Sequence, residues 1–206
     1  MPTKVYLEAG TRRVFACALD WPGWCRAGKT EEAALDALAA SAPRYAAVAE
    51  VAGIAFPARA ATLSVVERLP GNATTDFGAP DAIATHDRTP LTAAGRARLA
   101  ALVDASWTVF DRVAAGAPAV LRKGPRGGGR DRDAIVRHVD DAEAGYSRRM
   151  GIRLRHRTRA ELRPAILAAL RDGYDVPEKG WPPRYAARRI AWHALDHAWE
   201  IEDRTD

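Results

Sequence analysis

His193 and His197 stand four residues apart in the run Trp192–His193–Ala194–Leu195–Asp196–His197–Ala198–Trp199–Glu200. On a helix this spacing puts both imidazoles on one face, with Cβ atoms about 5–6 Å apart. Two neutral imidazoles so placed can share a divalent metal, with metal–nitrogen bonds of about 2.0–2.1 Å. A reactive site needs a third protein donor and one coordination position left open. His138, within Ile135–Val136–Arg137–His138–Val139–Asp140–Asp141, is the donor the sequence offers. Glu200 lies three residues past His197, and Asp141 three past His138. Each carboxylate is a candidate to hold a ligand imidazole in one tautomer or to shuttle a proton. Arg189, with Arg149, is a candidate to steer a carboxylate on a substrate.

The plainer reading is that a His–x–x–x–His pair belongs to a solvated helix, its rings paired with neighbouring acids such as Asp196 and Asp140. The third histidine at a compatible helix position favours the metal. Of the five histidines, His86 and His156 fall in connecting segments and read as surface residues. Trp192 and Trp199 differ by two helical turns and share one side of their helix. They read as core, with the wall of an apolar pocket beside the metal as the alternative.

These side chains need long helices to carry them. After Pro90 the chain turns to Ala/Leu/Arg-rich segments with helical periodicity over 90–115, 133–150, 159–174 and 182–204. The stripe Ile135, His138, Ala142, Gly145 and Arg149 places His138 on a face of small residues. Lys123–Arg130, with three consecutive glycines, reads as a flexible break. Four such helices predict an up-down four-helix bundle over residues 73–206, including its N-terminal connection.

The first third has another character. Val14, Ala16 and Ala18 alternate with Phe15, Cys17 and Leu19, and Val5 and Leu7 precede them, which predicts two strands of a hairpin. Trp21–Pro22–Gly23–Trp24 reads as a turn. A short third strand follows at Cys25–Ala27. Thr30 then caps a helix with Glu31 and Glu32 in its first turn. Pro43 should kink or restart that helix. A last strand is expected over Ala61–Leu69, and Gly71–Pro90 reads as a connection. The fold class is therefore α+β: a small ββ(β)αβ module over residues 1–72, then the bundle.

The chain of 206 residues carries a formal charge of +5. Its arginines are dispersed among acids, which disfavours a nucleic-acid partner. No apolar run reaches the roughly 20 residues of a membrane span, and a cytoplasmic location is the expectation. Cys17 and Cys25 lack a second cysteine pair, so they read as reduced thiols and not as a zinc knuckle.

With one His in the second long helix and Trp192–Arg204 near the C-terminus, residues 90–206 resemble the DinB-like superfamily. That group includes bacillithiol transferases and mycothiol-dependent maleylpyruvate isomerases. The resemblance implies a metal triad of His138, His193 and His197 holding zinc or nickel. It also implies a low-molecular-weight thiol such as mycothiol as cosubstrate. Residues 3–69 separately resemble HicB-like antitoxin modules, through Arg13–Trp24 and the helix start Gly28–Ala33. Such antitoxins append a DNA-binding domain, and none is visible, so an accessory or dimerising role is expected over a toxin partner. The leading expectation is an enzyme that transfers or isomerises through an activated thiolate on a small-molecule substrate. A hydrolase, a regulatory metal-binding protein and a purely structural metal site are the alternatives.

Overall fold

The computed structural model describes residues 2–57, 60–124, 128–155 and 158–205. His156 lies outside the described residues, as does part of the break expected over Lys123–Arg130. Four strands form one sheet: β1 (Thr3–Ala9), β2 (Val14–Ala18), β3 (Cys25–Gly28) and β4 (Leu63–Pro70). Their order is β3-β2-β1-β4, with β1–β2 and β2–β3 antiparallel and β4 returning parallel to β1. The parallel return needs a crossover, which α1 (Glu31–Ala40) and α2 (Ala42–Val51) supply.

The alternation in β2 sorts its side chains onto two buried faces. Val14, Ala16 and Ala18 join the main core with Val5 and Leu7 of β1. Phe15, Cys17 and Leu19 join a smaller cluster with Tyr6, Cys25, Ala84 and Trp192. All five residues of β2 are buried, as befits a central strand covered on both sides.

Local signals set the helix ends. The Thr30 hydroxyl accepts from the Ala33 N–H, with Glu31 and Glu32 in the first turn of α1. Pro43 sits in the first turn of α2, where its missing N–H costs nothing, so it restarts the helix. The connection after β4 is more ordered than its composition suggests. Asn72 caps a five-residue helix α3 (Ala73–Phe77), and a 3-10 turn follows at Thr85–Arg88. Buried Glu8 of β1 pins this stretch, accepting from the Thr75 hydroxyl and from the backbone N–H of Asp81 and Ala82.

Four long helices complete the chain: α4 (Ala93–Gly116), α5 (Arg132–Arg149), α6 (Arg159–Asp172) and α7 (Pro183–Asp203). The general α+β class stands, but the expected plan of one helix in a small module followed by an up-down four-helix bundle does not. Seven α-helices are present among the described residues, and their arrangement does not reduce to that bundle. The two extra helices come from Pro43, which divides one segment in two, and from the Asn72 cap. The packing differs as well. α4 contacts α2 as well as α6 and α7, and one core cluster runs from Val5 and Leu38 through Leu99 and Val103 to Leu195 and Ile201. Among the described residues, no helix is long and apolar enough to cross a membrane.

The turn Trp21–Trp24 shows how closely the sheet meets α7. Gly23 has a φ of +90°, and a Cβ there would lie 2.7 Å from Leu195 Cδ1 and 3.0 Å from Ala191 Cβ. Tyr45 closes the same corner by donating to the Pro22 carbonyl at 2.7 Å. Gly23→Ala combines a left-handed backbone penalty with overpacking against a helix, a destabilisation of about 2–4 kcal/mol. A lowered denaturant midpoint is expected, and an unchanged one would show that the turn yields freely.

Candidate metal centre

α7 is buried along most of its length and divides its faces between two neighbours. Trp192 and Trp199 turn toward the N-terminal sheet. Trp192 meets Phe15 edge-on at 6.2 Å, and Trp199 lies under Arg26 and Arg44 at 4.6 and 5.2 Å. Both indoles are therefore core, the plainer of the two readings. His193 and His197 turn instead toward α5.

The buried stripe of α5 is Ile135, Val139, Glu143 and Ser147, a strict four-residue repeat. His138 sits beside that stripe, half-buried, on the side facing α7. Its Nε2 lies 3.2 Å from His193 Nε2. The ring centroids of His138, His193 and His197 are 4.8–5.0 Å apart in all three pairs. One donor nitrogen from each ring falls within 4.8 Å of the others, a group that could hold a metal ion. Two nitrogens bound tetrahedrally at about 2.05 Å stand about 3.3 Å apart. The His138–His193 pair is already at that separation, and the His197 donor lies within 4.8 Å of both.

Glu200 orients that third donor. Its Oε2 lies 2.8 Å from His197 Nδ1, while its Oε1 accepts from Arg204 at 2.6 Å. With Nδ1–H donated to the carboxylate, the Nε2 lone pair of His197 is left for a cation. The hydrogen bond from His197 also holds the Glu200 carboxyl below its ordinary range.

The other candidates take different places. Asp141 is exposed, and its charge reaches His138 only through the field, favouring the protonated ring. Arg189 is half-buried, donates to the Pro80 carbonyl at 2.7 Å and stacks over Trp192 at 4.9 Å. Its Nε is buried without a hydrogen-bond partner among the described residues. Arg149 donates to the Lys179 carbonyl. Of the remaining histidines, His86 is half-buried where the surface was expected, and its Nε2 faces Asp20 at 3.4 Å.

Several neighbours of the triad were not legible in the sequence. Tyr146 packs edge-on to His193 at 5.7 Å and tilts against Trp181 at 5.0 Å. Tyr146 recurs two helical turns after His138, a spacing that could have placed it on the same face. Arg130 acts on both His138 and His193 by its charge, and nothing local in the sequence brings it there.

Two of the three imidazoles, His138 and His193, sit where the neutral form is favoured. Burial pulls His193 well below the usual histidine value, with His197 and His138 adding to the effect. Burial, then His197, lowers His138 in the same way. Neutral rings are the metal-binding form. A depressed folded value means that the unfolded chain takes up protons first as pH falls. The stability of the metal-free protein is therefore full above the unfolded histidine value of about 6.5 and is lost as pH drops through the lower folded values. The denaturant midpoint of chelator-treated protein should fall between about pH 7 and pH 5. His193→Gln, which cannot protonate, should flatten that fall. A midpoint that rises on acidification would contradict the burial of neutral rings.

No protein-family model, no curated protein and no solved structure matches the chain.

Proposed function

We propose that the chain is a metal-dependent enzyme of the DinB-like type that joins a low-molecular-weight thiol to an electrophilic small molecule or isomerises one through such an adduct. The observation that carries this reading is the convergence of three imidazoles from two helices, with no fourth His, Cys or carboxylate in the group among the described residues. A purely structural zinc site normally closes all four positions with protein. Three imidazole nitrogens of intermediate softness suit zinc or nickel. A divalent cation held there supplies Lewis acidity and lowers the pKa of a thiol.

The chain's own residues do the rest. Glu200 fixes the tautomer of His197, and Arg204 fixes Glu200. Tyr146, backed by Trp181, packs against His193. Arg189, whose charge acts on His193, offers a positive charge to an anionic substrate group. Arg130 adds a second positive charge near the imidazoles. The HicB-like sheet takes an accessory role in this reading, bracing α7 from the side opposite the histidines.

The test is turnover of an electrophile by zinc- or nickel-loaded protein, with and without a small thiol such as mycothiol. Thiol-dependent loss of the electrophile that chelation abolishes is the expected result. Thiol-independent hydrolysis would favour the second reading, a hydrolase using water activated at the same site. An absence of turnover with any thiol would leave a binding protein. Glu200→Gln should weaken metal affinity by about 10–100-fold, the effect typical of removing a ligand's orienting partner. Metal titration of the variant reads this directly, and wild-type affinity would deny Glu200 its positioning role.

A further inference from the structure

Away from the histidines, β2 and β3 bring two thiols together. Cys17 and Cys25 are direct register partners, with Sγ atoms 2.6 Å apart and both residues buried. The Ala18 N–H donates to the Trp24 carbonyl just beyond the pair. Cys17 and Cys25 therefore occupy a non-hydrogen-bonded position, where opposed Cα atoms approach to about 4.5 Å and side chains are closest. That separation lies within the Cα span of about 4.4–6.8 Å that a disulfide bridges. Two thiolates sharing a tetrahedral zinc, with bonds of about 2.3 Å, would stand about 3.8 Å apart. The pair is too close for that arrangement and within about half an ångström of an S–S bond.

Both side chains leave the main core and enter the smaller cluster with Tyr6, Phe15, Leu19 and Trp192. A cavity of about 10 Å³ is lined by Cys17 and Cys25 together with Tyr6, Arg188 and Trp192.

We propose that Cys17 and Cys25 are a peroxide-oxidisable pair that closes to an intrachain disulfide across β2 and β3. One sulfur attacks a peroxide oxygen, forming an S–O bond as the O–O bond breaks. The departing hydroxide takes that thiol's proton and leaves as water. The second sulfur then attacks the sulfenic sulfur, the S–S bond forms, and the S–O bond breaks. This hydroxide leaves as water with the second thiol's proton. Two thiols thus lose two electrons and two protons, and one peroxide becomes two waters. The site does not depend on the metal reading, although β3 also carries Arg26, which pairs with Asp196 and covers Trp199 on α7. Oxidation would staple the strand that braces the histidine helix.

The test treats the folded full-length protein with hydrogen peroxide, denatures it, alkylates the remaining thiols and measures peptide masses. Trypsin releases Val14–Arg26 with both cysteines in one peptide. That peptide should be about 2 Da lighter, carry no alkyl group, and accept two only after reduction. Cys17→Ser, which has no partner for Cys25, should lose this mass change. Two alkyl groups on the peroxide-treated wild-type peptide would overturn the proposal. So would sulfinic acid in place of the bridge, a link between two chains, or the same mass loss in Cys17→Ser.

Discussion

In the His193→Ala variant, stoichiometric binding of a divalent cation is lost while the helices stay formed. His193 is the buried member of the triad, and its Nε2 lies 3.2 Å from that of His138. Removing it leaves two donors, one on each helix, and an affinity loss well beyond the roughly 10–100-fold that an orienting partner alone commands. The cost to the metal-free fold is smaller. His193 Nδ1 is buried with no hydrogen-bond partner among the described residues, so deleting the ring also removes an unsatisfied polar group. Relief of that penalty, about 1–3 kcal/mol, offsets part of the cavity left behind. Zinc at a hundred times its dissociation constant should stabilise the wild type by about 2.7 kcal/mol and the variant by nothing measurable. Thermal unfolding with and without zinc separates the two proteins. A variant that still takes up one equivalent would remove His193 from the site.

Arg188→Ala should be among the most damaging single substitutions, at about 3–5 kcal/mol. Arg188 and Asp87 form a bidentate pair, the second contact at 2.7 Å, and both are buried. Asp87 also accepts from the Ala84 N–H, and Arg188 lies over the Tyr6 ring at 4.8 Å. One ion pair therefore joins α7, the 3-10 turn and the sheet. Removing the guanidinium strands a carboxylate with no access to water, whereas removing both charges together leaves neither uncompensated. Arg188→Met combined with Asp87→Leu should thus be far less destabilised than Arg188→Ala alone. Chemical denaturation measures both, and a double variant weaker than the single would show that the pair contributes net stability.

The sequence disclosed the local features and missed the long-range ones. Thr30 and Pro43 marked helix starts because a cap or a proline acts on its own neighbours. The face shared by His193 and His197 followed from helical spacing alone. The assignment of His138 as third donor spanned 55 residues and rested on helix periodicity and on the DinB-like resemblance; the fold packs its ring against those of His193 and His197. Pairings without periodicity stayed hidden. Glu8 pinning the connection and the charge of Arg130 acting on the imidazoles both depend on tertiary structure. The bundle expected from four long segments failed for the same reason. Periodicity shows that a helix has an apolar face, not whether that face meets another helix or a sheet, and α7 meets both.

The central claim is that His138, His193 and His197 bind one divalent cation. X-ray absorption at the zinc edge, on protein loaded with one equivalent and dialysed, tests it most directly. The account predicts one retained zinc with three imidazole nitrogens at about 2.0–2.1 Å and a fourth light donor from solvent. Protein that emerges from dialysis without zinc, or zinc bound with fewer than three imidazoles, would contradict it.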